Sequence, residues 1–166
     1  MNVLCRFMLG HHLDHKQRNI EQIWSLDDFW LQHDREYIQW LFPIDTPSKF
    51  QPLVPLVCSS TRDYFLTCKV LQKAQRRSLH IMLNFYDMQI KNGAVVPKNK
   101  LSIHEQSWLN DDDHSHRCIT RIIRSLTLLG QQDLGRQFQE GMLDTAIKYG
   151  KTREESLNYW RNAHLL

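Results

Sequence analysis

The stretch from His114 to Arg124 gathers the residue types best suited to chemistry: His114, His116, Arg117, Arg121 and Arg124. Imidazoles change charge near neutral pH, and guanidiniums grip carboxylates or phosphates through paired N–H donors. On a helix turning about 100° per residue, Arg117, Arg121 and Arg124 share one stripe. Ile119, Ile122, Ile123, Leu126 and Leu129 take the opposite face. One reading is an amphipathic helix with a solvated basic side. The other is an anion cradle, with His114 and His116 at a helix start whose amides favour negative charge. Asp111-Asp112-Asp113 lies just upstream. It would repel the same anion, or serve the arginines as internal partners.

Other clusters are less specific. His11-His12-x-x-His15 with Asp14 has metal-like character, but zinc needs three or four convergent ligands and no further partner is marked. His114 and Cys118 stand four apart and give only a pair. No metal and no cofactor is assigned. The heptapeptide Tyr37-Ile38-Gln39-Trp40-Leu41-Phe42-Pro43 packs large apolar groups around one amide and ends on a helix-stopping proline. It reads as the core of a helical domain, with an aromatic peptide-binding groove as the alternative. Within it, Gln39 and Trp40 are the candidate contact residues. No nucleophile elbow, P-loop, HExxH or dinucleotide fingerprint occurs, so the sequence carries no enzyme signature.

The elements that must position these groups are helical. The chain has 166 residues, enough for one domain to bury its apolar surface without staples. Hydrophobic residues make up 42% and charged residues 23%, a globular composition that excludes disordered and membrane-spanning classes. The N-terminus lacks the basic leader and small-residue site of a signal peptide. Four cysteines without CxxC spacing suit a reducing interior, so the expected location is cytoplasmic; Cys68 and Cys118 read as core residues. The net charge of +3 is too mild for a dedicated nucleic-acid binder. Even so, Lys69, Lys73, Arg76 and Arg77 form a local basic run.

Capping patterns place the helices. Asn19 with Gln22 starts one, Ser25 with Asp28 the next, and Phe42-Pro43 ends that block. Residues 43–57 hold four prolines and form an extended connector. Ser60 with Asp63 opens a helical pattern to about residue 90, long enough to expect a break near Gln75. Asn92-Gly93 and Pro97 mark a loop, and Ala94-Val95-Val96 is too short for a strand. A short helix covers 101–109. The next begins near Asp113 or Ser115 and stops at Gly130. Asp133 caps another, and Thr152 with Glu155 a last one. The fold expected is all-α: one compact domain over 1–166, with about seven or eight helices.

Several of these blocks, taken together, resemble the opioid growth factor receptor conserved-region family over roughly residues 7–163. The similarity is carried by Phe7-x-Leu9-Gly10, Ile20-Glu21-x-Ile23, Asp34-x-x-Tyr37 through Pro43, Ser78-x-x-x-Met82-Leu83-x-Phe85-Tyr86, Asn99, Trp108-Leu109, His114-x-x-x-x-Ile119-Thr120-Arg121-Ile122 and Ser156-Leu157-x-Tyr159-Trp160. The sequence departs from the family pattern at Asp87, where the family has glycine, and at Arg117-Cys118, where it has Leu-Arg. Vertebrate members are described as receptors for an enkephalin peptide, associated with the nucleus, and carry long tails. The resemblance therefore implies a non-enzymatic module that binds a peptide or protein segment, with His114, Arg121 and Arg124 orienting an anionic group. A nucleic-acid-associated helical protein, or an enzyme built on His114, His116 and Arg121, is the alternative.

Overall fold

A computed structural model describes residues 1–48 and 54–165. Their contacts separate into two units, Met1–Ile81 and Met82–Leu166. The first carries α1 (Val3–Met8), α2 (Ile20–Trp24), α3 (Asp28–His33), α4 (Ile38–Leu41), α5 (Ser59–Thr67) and most of α6 (Lys69–Phe85). Its helix starts follow local capping. Asn19 and Gln22 form the expected reciprocal capping box at α2. The next cap lies two residues past Ser25, because the Asp27 carboxylate accepts from Trp30 N–H. Phe42 ends α4 beside Pro43, as the heptapeptide suggests.

The expected break in the long helical pattern falls at Cys68 and not at Gln75. Cys68 is extended, with φ −111° and ψ 102°, and Gln72 Nε2 donates at 2.6 Å to the Phe65 carbonyl. A side chain thus satisfies an oxygen near the interruption. Beyond it, Leu71, Ala74, Gln75, Ser78, Leu79, Met82 and Leu83 make a continuous buried stripe on α6. Breaking the helix at Gln75 would split that stripe. The first helix of the pattern starts at Ser59, one residue ahead of the expected cap, with Cys58 N–H donating to Thr61 Oγ1. Part of the proline-rich connector, residues 49–53, lies outside the described residues.

The first unit also contains a buried ion network. Arg18 bridges Asp14 at 2.8 Å and Asp34 at 2.5 Å, and Lys16 reaches Asp34 at 3.4 Å. Burial pushes the Asp34 carboxyl up, but the Glu36 amide and the Arg18 guanidinium outweigh it. The net effect holds the group below its usual range.

The second unit corrects the all-α expectation. It is mostly helical but holds a hairpin of β1 (Met88–Lys91) and β2 (Ala94–Pro97), paired antiparallel with Ile90 opposite Val95. Asn92 and Gly93, at φ 53° and 77°, make the two-residue turn whose backbone twist matches paired strands. The Asn-Gly signal is therefore a hairpin turn, and the short apolar run after it does count as a strand. Asp87 precedes β1 at φ 58°, adopting the left-handed conformation that glycine takes more easily.

A 3-10 turn at Ser107–Leu109 replaces the helix expected over 101–109. Then come α7 (Ser115–Leu128), α8 (Gln132–Tyr149) and α9 (Glu154–Asn162), with Gly130 left-handed at φ 82° between the first two. Gln131 occupies the cap position of α8, and Asp133 falls in its first turn. The three helices pack on one another, and α8 lies on β2. That seat is close: a Cβ at Gly141 would stand 2.3 Å from the Val95 carbonyl oxygen. Among the described residues no helix is long and apolar enough to cross a membrane.

Two measurements check these units. Gly141→Ala improves helix propensity by about 1 kcal/mol but forces Cβ into backbone, so a net loss of about 1–3 kcal/mol is expected in urea unfolding. A gain would show that α8 does not seat on β2. Asp34, with its depressed pKa, contributes stability that is complete above about pH 5 and is lost as pH falls below about 4. Asp34→Asn should flatten that acid limb, and an unchanged limb would contradict the network.

Candidate functional site

The second unit has an open cleft of about 430 Å³. One wall comes from the start of α7 and the segment before it: Asp112, Asp113, His116, Arg117 and Thr120. The other comes from α9 and its approach: Arg153, Glu155, Ser156 and Tyr159. Backbone bonds align the two segments, since Lys151 N–H donates to Leu109 O at 2.8 Å and Arg153 N–H to Asp111 O at 3.2 Å. Gly150 makes this approach possible, because a Cβ there would meet the Leu109 oxygen at 2.8 Å.

The cleft floor is polar and fixed. His116 Nε2 stands 2.8 Å from the Trp108 carbonyl oxygen, and Nδ1 stands 3.0 Å from Ser156 Oγ. Its backbone oxygen accepts from Trp160 Nε1–H at 3.0 Å. Thr152, expected as a helix cap, instead donates its hydroxyl to Trp108 O at 3.2 Å, and α9 starts after Arg153. The rim is charged with both signs. Arg153 lies 3.5 Å from Asp112 and 3.9 Å from Glu155, and Tyr159 is 61% exposed. Asp113 is an internal acceptor for the hydroxyls of Ser107 and Ser115.

The candidate residues separate in space. His116 lines the cleft but uses both ring nitrogens internally. Arg117 lines it and is exposed. His114, Arg121 and Arg124 are not among its lining residues. His114 sits 3.8 Å from Asp113, and Arg124 donates to the Leu165 carbonyl at 2.7 Å. Burial pushes the Arg121 guanidinium down to about 10. The helical stripe of arginines is therefore uneven: Arg117 is exposed, whereas Arg121 and Arg124 are half-buried. On the opposite face Ile119, Ile122, Ile123, Leu126 and Leu129 are all fully buried, as the period requires.

Gln39 and Trp40 belong to the first unit, where both are buried. Tyr37, Leu41 and Phe42 are core beside them, and Tyr37 OH donates to Leu31 O at 2.7 Å. Trp40 meets a separate cleft of about 630 Å³ that includes His11, His12 and His15. Its Nε1–H donates to His15 Nδ1 at 3.1 Å, and His15 Nε2 faces Glu36 at 2.8 Å. Among the described residues no group of three or more His, Cys, Asp or Glu could hold a metal. Lys69, Lys73, Arg76 and Arg77 are exposed on α6, with Arg77 stacked 4.2 Å over the Trp24 ring. Cys68 and Cys118, expected in the core, are half-buried.

Sequence reasoning passed over Arg153, Ser156 and Tyr159 as site residues. Their signal was the i, i+3 spacing of Ser156 and Tyr159 on one helical face, inside a stretch already marked by Ser156-Leu157-x-Tyr159-Trp160.

The family model described as the opioid growth factor receptor conserved region matches residues 11–165. The mouse opioid growth factor receptor is 31% identical over 149 residues, covering 86% of this chain and 23% of that protein. The human opioid growth factor receptor is 28% identical over 148 residues, 86% of this chain and 22% of its own. Opioid growth factor receptor-like protein 1 of Xenopus tropicalis is 31% identical over 123 residues, 69% of this chain and 23% of its own. The chain thus spans about a quarter of the length of the curated relatives it matches. No solved structure matches it significantly.

Arg117 and Arg121 should respond differently to truncation. Arg117→Ala is expected to change unfolding stability by less than about 0.5 kcal/mol, and Arg121→Ala to lower it by about 1–3 kcal/mol. Equal effects in thermal or urea unfolding would contradict the difference in burial between Arg117 and Arg121.

Proposed function

Since the chain belongs to the opioid growth factor receptor conserved-region family, we propose that it is a peptide- or protein-segment-binding domain whose site is the cleft between α7 and α9. The observation that carries this reading is the cleft's combination of a rigid polar floor with a rim of both charges and an exposed tyrosine. A short peptide presents charged groups, backbone donors and acceptors, and apolar side chains together, and this lining offers partners for each. Arg117 and Arg153 are the anion contacts, taking the role first assigned to Arg121 and Arg124. Asp112 and Glu155 suit an amine, and Tyr159 supplies an aromatic surface. A cytoplasmic setting accords with four cysteines that form no disulfide.

Titration of the protein with opioid growth factor peptide, followed by calorimetry, tests the reading. The expected result is saturable binding that weakens about tenfold in Arg117→Ala, the scale of one lost charge-assisted hydrogen bond. Failure of this peptide to bind, or an unchanged affinity in the variant, would contradict it.

A further inference from the structure

Ser156 and His116, which meet at the floor of the same cleft, are arranged for chemistry as well as for shape. The Trp108 carbonyl oxygen can only accept, so the His116 nitrogen 2.8 Å away, Nε2, carries the proton. In the neutral ring Nδ1 then presents a lone pair, which the Ser156 hydroxyl, with Oγ 3.0 Å away, is placed to meet as donor. A hydroxyl facing a neutral imidazole, itself oriented from behind by a fixed acceptor, is the arrangement of an activated nucleophile. The imidazole is held further by the Trp160 ring, 5.5 Å away and edge-on at 84°. Ser156 is the third residue of α9, whose start carries no side-chain cap among the described residues. Ser156 thus lies in the first turn of a helix, where backbone N–H groups lack intrahelical acceptors. Both groups line the cleft, together with the guanidiniums of Arg117 and Arg153.

We infer that Ser156 is a nucleophile with His116 as its general base, giving this cleft an acyl-transfer activity toward carboxylic esters. Oγ bonds to the ester carbonyl carbon as its proton passes to Nδ1. The imidazolium, whose Nε2–H stays on the Trp108 oxygen, then returns that proton to the departing alkoxide as the ester C–O bond breaks. Water repeats the sequence on the acyl-serine. Its oxygen joins the carbonyl carbon, one proton passes through Nδ1, and Ser156 leaves with its hydroxyl restored. Ester and water become acid and alcohol. The inference stands on the Ser156–His116–Trp108 geometry and does not depend on peptide recognition.

The test is covalent labelling of the whole chain with a fluorophosphonate probe, followed by digestion and mass mapping. Ser156 should carry the adduct and react at least about a hundredfold faster than any other serine, the scale of one positioned general base. Hydrolysis of p-nitrophenyl acetate should fall to background once Ser156 is labelled. An unlabelled Ser156 after exhaustive exposure, or faster reaction at another serine, overturns the proposal. The wild-type chain decides the matter even where Ser156→Ala does not fold.

Discussion

The carbonyl oxygen of Trp108 accepts from two donors, His116 Nε2–H at 2.8 Å and Thr152 Oγ1–H at 3.2 Å, and the polar interior of the second unit is arranged around that sharing. A buried donor or acceptor left without a partner costs about 1–3 kcal/mol, so each group drawn inward must bring the next. Trp108 Nε1–H is met by Tyr86 O, His116 O by Trp160 Nε1–H, and Trp160 O by Gln139 Nε2–H at 2.6 Å. The result is a connected line of satisfied groups through aromatic packing, which fixes the rotamers of the residues behind the cleft. Trp108 and Trp160 also meet at 6.4 Å between ring centres. The cleft's floor is therefore set by core packing, while its rim varies with solvated side chains.

The first unit solves a similar problem with charge. Asp14 is 2% exposed, and it remains tolerable there because Arg18 and the backbone amides of Lys16 and Arg18 all donate to it. Removing one partner of such a network leaves a buried charge uncompensated, which costs more than the pair itself contributes. The Trp40–His15–Glu36 line extends it, tying the core indole to surface charge.

Most helices were legible in the sequence because period and caps act locally. The described residues nevertheless hold nine α-helices where seven or eight were expected: the short α1 carried no clear period, and 101–109 closes only a 3-10 turn. The α7 apolar face and the Gly130 stop needed no tertiary information. The hairpin was missed because strands of four residues give too few alternations to register, although Asn92-Gly93 held the right turn chemistry. The break at Cys68 and the role of Thr152 were illegible for a different reason: each depends on a partner, Gln72 or Trp108, chosen by the folded chain. The site was half legible. Periodicity places Arg117, Arg121 and Arg124 on one stripe, but only packing determines which of them is covered. Ser156 needed His116, forty residues earlier in the chain, before its hydroxyl had any chemical meaning.

The tautomer of His116 is the most direct measurement of this account. Long-range nitrogen–proton NMR of the imidazole, at neutral pH, reads which nitrogen bears hydrogen. A neutral ring protonated at Nε2, with Nδ1 bare, is the result required by the Trp108 carbonyl on one side and the Ser156 hydroxyl on the other. A proton on Nδ1 would contradict it, since Trp108 would then lose its donor and Ser156 its base.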